Sequence, residues 1–141
     1  MRRGALALVG VALLLGVLAL AHMAWIESAG EVAVVRTVGD DGSELVRRLW
    51  IVDDAQGVAW LHGADSQWMR NLRARPEVVV ERGGVARHYR AVPVPGPHPA
   101  IHELLRAKYG LADAWVRTIG RDDERAMPVR LDPVEAPAAA D

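Results

Sequence analysis

The stretch Trp68-Met69-Arg70-Asn71-Leu72-Arg73-Ala74-Arg75-Pro76-Glu77-Val78-Val79-Val80 decides how the chain is read, because its character changes in the middle. Before Pro76, Trp68 and Leu72 fall at i,i+4 with Met69 beside them, the spacing of one helical face, and Asp65 or Ser66 upstream suits an N-cap. Pro76 biases Arg75 away from helical geometry and ends a helix of about ten residues. After it, Glu77 to Arg82 (EVVVER) is β-branched and reads as a strand.

Outward from that stretch the β pattern continues on both sides. Gly83-Gly84 is a two-residue loop of the kind that favours primed hairpin turns, and Val85 to Val94 is the next strand. Upstream, Val58 to Gly63, Ser43 to Val52 and Glu31 to Val38 are three strands of an antiparallel meander, separated by turn clusters at Asp53–Gly57 and Gly39–Gly42. Downstream, the run Pro93 to Pro99 breaks the sheet, and Pro99 at a first helical position leads into Ile101, Leu104, Leu105 and Tyr109, closed by Gly110. Leu111 to Ile119 keeps helical spacing, and Arg125 to Val134 offers a sixth strand in which Pro128 suggests an edge. Helices inserted among six short strands and near the end predict an α+β class: a small, partly closed split antiparallel β-barrel over residues 27–135. Residues 136–141 (APAAAD) read as a disordered tail.

Residues 1–26 are of another kind. Gly4 to Trp25 carries no formal charge, and about 20 apolar residues at 1.5 Å rise cross a bilayer core. One N-terminal transmembrane helix is therefore expected, a single-pass membrane anchor with Trp25 in the interfacial belt. A cleaved signal peptide is the competing reading, from the basic Arg2-Arg3 and the small-x-small Ala19-Leu20-Ala21. The positive-inside rule places the N-terminus in the cytoplasm, on two arginines alone.

Composition excludes several chemistries. The absence of cysteine removes disulfides, thiolate catalysis, iron–sulfur clusters and Cys-based zinc sites. The chain has 17 Lys and Arg against 18 Asp and Glu, and setting aside Arg2 and Arg3 leaves a balance of −3, which argues against nucleic acid as a partner. No nucleophile elbow, P-loop or Gly-x-Gly-x-x-Gly fingerprint is present.

What stands out is arginine between positions 47 and 90, where guanidinium forks suit phosphate. Arg47 and Arg48 point to opposite faces of their strand, so at least one shares a face with apolar neighbours and needs a partner, either a bound phosphate or one of Glu44, Asp53, Asp54 and Glu81. Arg70 and Arg73 lie on one side of the helix that starts near Ser66, whose free N–H groups suit an anion; a solvated face is the alternative. His62, His88 and Tyr89 are candidate pocket residues. His98 and His102 have a metal-compatible spacing, but Pro99 lies between them and no third ligand is evident, so no metal is expected.

The quoted stretch also resembles the W-x-x-N-L-x-A-x-P-x-V signature of deazaflavin-dependent nitroreductases and related split-barrel oxidoreductases of the pyridoxamine-phosphate-oxidase-like fold. The resemblance covers roughly Gly30 to Pro133 and is most specific over Trp68 to Val80. It implies a homodimer holding FMN or the 8-hydroxy-5-deazaflavin coenzyme in an interface groove, with contacts from Arg47, Arg48, Trp50, His62, Gly63, Ser66, Trp68, Arg70, Asn71 and Arg73. Trp50, Trp60, Trp68 and Trp115 are candidates to wall the ring. The first hairpin departs from the family, with Gly39-Asp40-Asp41-Gly42-Ser43-Glu44 where a basic element is common, and Arg47 and Arg48 are then the bases that stand in. The function implied is a membrane-anchored oxidoreductase passing hydride to a quinone-like or nitroaromatic acceptor. The alternatives are a non-catalytic flavin- or haem-binding module and a cofactor-free membrane-anchored interaction domain.

Overall fold

The computed structural model describes residues 2–28, 30–120 and 126–135, with side chains described for 9–22, 24, 30–118 and 126–135. The chain divides into two compact units, Met1–Gly30 and Glu31–Asp141.

The first unit is one helix, α1 (Arg2–Ser28), and its described apolar side chains are exposed all round, from Val9 to Leu20. Among the described residues no helix is long and apolar enough to cross a membrane. The expected transmembrane helix is therefore not supported by the described residues, and α1 is described only as a helix with exposed apolar side chains. The belt position of Trp25 and the tail over 136–141 lie outside the described residues.

In the second unit the strands are β1 (Val32–Val38), β2 (Glu44–Asp53), β3 (Ala59–Ala64), β4 (Glu77–Arg82), β5 (Val85–Pro93) and β6 (Ala126–Pro133). They hydrogen-bond in the order β1-β2-β3-β6-β5-β4, and β1 pairs back onto β4 through Val35 opposite Val80. The barrel is thus closed, where a partly closed one was expected. Alternation sets its inside: Ala33, Val35 and Thr37 of β1 are buried between less buried neighbours. The meander β1-β2-β3 and the hairpin at Gly83-Gly84 follow the sequence reading; both glycines have positive φ (57° and 78°), as a type I′ turn requires.

Pro128 is a correction, since β6 is no edge and pairs with β3 and β5. The Pro128 carbonyl accepts from the Val94 N–H at 2.9 Å, just past the end of the β5 ladder. Backbone N and O of one strand residue face the same flank, so the missing N–H also falls where that ladder has ended.

Between β3 and β4 lies α2 (Gln67–Ala74), eight residues rather than about ten. It sends Trp68, Met69 and Leu72 into the core with Ile51, Leu61 and Val129. The helices α3 (Pro99–Tyr109) and α4 (Leu111–Gly120) follow β5, with Pro99 in the first turn and Gly110 at φ 53° between them. α3 forms a second cluster on the outer face of the barrel, where Ile101, Leu105 and Tyr109 pack on Val52, Trp50 and Trp60.

Candidate functional site

The sequence-predicted site residues fall into three groups. Trp68, Asn71 and Gly63 belong to the barrel itself. Trp68 is 2% exposed and its indole N–H donates to the Ala64 carbonyl at 3.2 Å, so its ring is core and does not wall a ligand. A Cβ on Gly63 would stand 2.8 Å from Trp68 Cζ2, which makes this glycine the space the indole occupies. Asn71 is buried, and its amide donates to Thr37 Oγ1 on β1 at 3.1 Å while its oxygen accepts from Gln67 at 2.8 Å.

The arginines form the second group. Arg47 and Arg48 are both exposed on β2. Arg47 shares the barrel-facing side with Leu45, Leu49 and Ile51, as period two demands, and reaches solvent nonetheless. β2 pairs with β1 over its whole length to Trp50 but with β3 only over Ile51–Asp53, so both arginines sit where β2 has a strand on one flank only. On α2, Arg70 donates to Gln67 at 2.7 Å, and Arg73 forms an ion pair with Asp65 at 3.1 Å. Ser66 is the N-cap residue of α2 and makes no side-chain cap hydrogen bond. Arg73 also borders a groove of ≈ 470 Å³ floored by Leu72, Pro93 and Met127, with Arg90 on its wall.

Trp50 and His62 make the third group, on the outer face under α3. Trp50 stacks on Tyr109 with ring centroids 4.3 Å apart and planes at 8°. His62 lies beside His98 and His102, its Nε2 at 3.0 Å from Nε2 of His98. Trp60 donates to Asp54 at 2.8 Å, and Trp115 is 45% exposed on α4.

The two acids of the first hairpin are less repulsive than their sequence suggests. Asp40 pairs with Arg75 at 3.1 Å, and Asp41 accepts from both the hydroxyl and the backbone N–H of Ser43. Those bonds hold the Asp41 carboxyl below its usual range.

Sequence reasoning missed a charged network joining β1, β2, β4 and α3. Arg82 bridges Glu31 and Asp53 with paired hydrogen bonds to each, and Lys108 reaches Glu31 at 2.8 Å and the Ile51 carbonyl at 2.6 Å. The bonds from Arg82 hold the Glu31 carboxyl down at about 2 despite partial burial. The Tyr109 hydroxyl, pushed up to about 12 by burial, accepts from the Ile51 N–H at 2.9 Å and faces the carbonyls of Glu31 and Ile51. It fills the place opposite Ile51 that β1, starting at Val32, leaves open. Beside this network a groove of ≈ 390 Å³ is lined by Arg82, Arg87, Tyr89 and Val85. Nothing in the spacing of Glu31, Asp53, Arg82 and Lys108 along the chain signals that they meet.

The sequence matches no protein-family model and no curated protein. Solved structures do share the fold. A protein of unknown function from Agrobacterium tumefaciens superposes with a TM-score of 0.61 at 17% identity over 74% of this chain; the chain spans about half of that protein, 48%. An F420 reductase gives a TM-score of 0.51 at 18% identity, covering 75% of this chain and 88% of its own. HutZ, a heme storage protein from Vibrio cholerae, gives 0.56 at 15% identity, covering 81% and 90%. At these identities the likeness is one of fold, that of the split-barrel proteins, and the same barrel serves proteins named for different ligands.

Proposed function

We propose that the barrel unit binds a flavin-like cofactor, the deazaflavin F420 or FMN, and acts as an oxidoreductase of the split-barrel nitroreductase type. The observation that carries this reading is the fold likeness that includes an F420 reductase, with the signature-like segment Trp68 to Val80 forming α2 and β4 inside that fold. Arg47 and Arg48, exposed on the one-sided stretch of β2, are the assigned phosphate contacts, with the N-terminus of α2 at Ser66 beside them in the assignment. A second copy of the chain completes the groove, so the working unit is a homodimer.

The bound cofactor supplies the hydride chemistry. The protein's part is to hold the phosphate, orient the ring and exclude water while a quinone-like or nitroaromatic acceptor approaches. The exposed apolar side chains Val9 to Leu20 associate the chain with lipid, which favours a lipophilic acceptor. Replacing both arginines (Arg47→Ala with Arg48→Ala) tests the assignment. The double variant should remain dimeric by sedimentation and bind cofactor at least ~10-fold more weakly, since each charge-assisted contact contributes about 1.5–3 kcal/mol. Unchanged affinity would remove β2 from the site.

A further inference from the structure

We propose that His62, His98 and His102 form a binding site for a divalent transition-metal ion of the zinc class, with one coordination position left to water or a ligand. His62 projects from β3 on the outer face of the barrel, and His98 and His102 stand one turn apart at the start of α3. One ring nitrogen from each lies within 4.8 Å of the other two, and all three residues are half-buried.

The separations fit coordination. With Zn–N bonds of about 2.0–2.1 Å, tetrahedral ligand nitrogens stand roughly 3.3–3.4 Å apart. Nε2 of His62 and Nε2 of His98 are 3.0 Å apart, and the stacked rings of His98 and His102 have centroids 4.4 Å apart. A ring nitrogen of His102 lies within 4.8 Å of those of both other histidines, so the set contracts onto one ion by small side-chain adjustments.

The tautomer of His98 is set for the same purpose. Its Nδ1 lies 2.7 Å from the Gly96 carbonyl, which only accepts, so Nδ1 carries the proton and Nε2 presents its lone pair toward His62. A backbone carbonyl holding the second ring nitrogen is the usual orienting partner of a metal-bound histidine. Three imidazoles without a carboxylate or thiolate select zinc, nickel or copper(II) over magnesium or calcium, and three protein ligands leave the fourth tetrahedral position open. Both supports are held in place: β3 pairs with β2 up to Leu61 and with β6 at His62 itself, and α3 is tied to the barrel by Tyr109. The lack of a third ligand in the sequence, which had counted against a metal, is thus made good by a residue 36 positions upstream of His98.

Untagged full-length protein is titrated with Co²⁺, read by its visible absorption, and with Zn²⁺ in competition with a chromophoric chelator. The expected result is one ion per chain, with His62→Ala and His102→Ala each weakening binding at least ~100-fold and His88→Ala leaving it unchanged. As a control on folding, Zn²⁺ should raise the Tm of the wild type and not that of His98→Gln, whose position at the N-cap of α3 lies outside both apolar clusters. Absence of both binding and Tm shift at 100-fold excess zinc would overturn the proposal and leave a hydrogen-bonded imidazole pair. Retention of wild-type affinity in His62→Ala would also overturn it.

Discussion

Gly63 and Glu31 show how single residues hold this barrel. At Gly63 the missing side chain is space for the Trp68 ring, so Gly63→Ala drives a methyl to 2.8 Å from Cζ2. Overpacking of that kind costs about 1–3 kcal/mol, and urea unfolding should show the midpoint fall without a change in slope. Glu31 works through charge. Its folded carboxyl sits at about 2 against an ordinary 4.5, because Arg82 hydrogen-bonds it first and foremost and Lys108 second. A depressed carboxyl stabilises fully above its unfolded value and loses that contribution as pH falls through the folded one. With Glu31 about a third exposed, solvent screening reduces the contribution to about 1–2 kcal/mol. Glu31→Gln should therefore be less stable than wild type at pH 7, and the two should converge between about pH 4.5 and 2 in thermal melts.

At the scale of elements, α3 is tied to the barrel by Tyr109 more than by apolar contact alone. Its hydroxyl satisfies the Ile51 N–H where β1 has not yet begun, and its ring stacks on Trp50. Tyr109→Phe keeps the stack and orphans a buried backbone donor, at a cost of about 1–3 kcal/mol, and should raise amide exchange of Ile51 selectively. Which elements were legible in the sequence follows from how local their signals are. The Gly83-Gly84 hairpin, the start of α3 at Pro99 and its end at Gly110 are written within a few residues, and the structure has all three. The insertion of β6 between β3 and β5, and the pairing of β1 with β4, join segments far apart in the chain and leave no periodic trace. Pro128 was misread for that reason: the rule that keeps proline at edges is met here by the end of a neighbouring ladder.

The same limit governs the whole molecule. A partly closed antiparallel barrel was within reach of the strand pattern, whereas its full closure, the meeting of His62 with His98 and His102, and that of Glu31 and Asp53 with Arg82 and Lys108 depend on contacts between segments far apart in the chain. The signature-like stretch is informative about the fold: its Trp68 and Asn71 are engaged in the core and in the bond to Thr37, so the cofactor contacts of the proposed function fall to exposed residues instead. Arg47 and Arg48 are the exposed residues on which the proposed function depends. Its central claim is that the barrel takes a flavin-like cofactor, and the most direct test is a fluorescence titration of the full-length protein with F420 and with FMN in separate experiments. Dissociation of one of them at about 10 µM or tighter, at one per chain, is the predicted result. A folded dimer that quenches neither at about 100 µM would contradict the claim and leave a barrel without a flavin site.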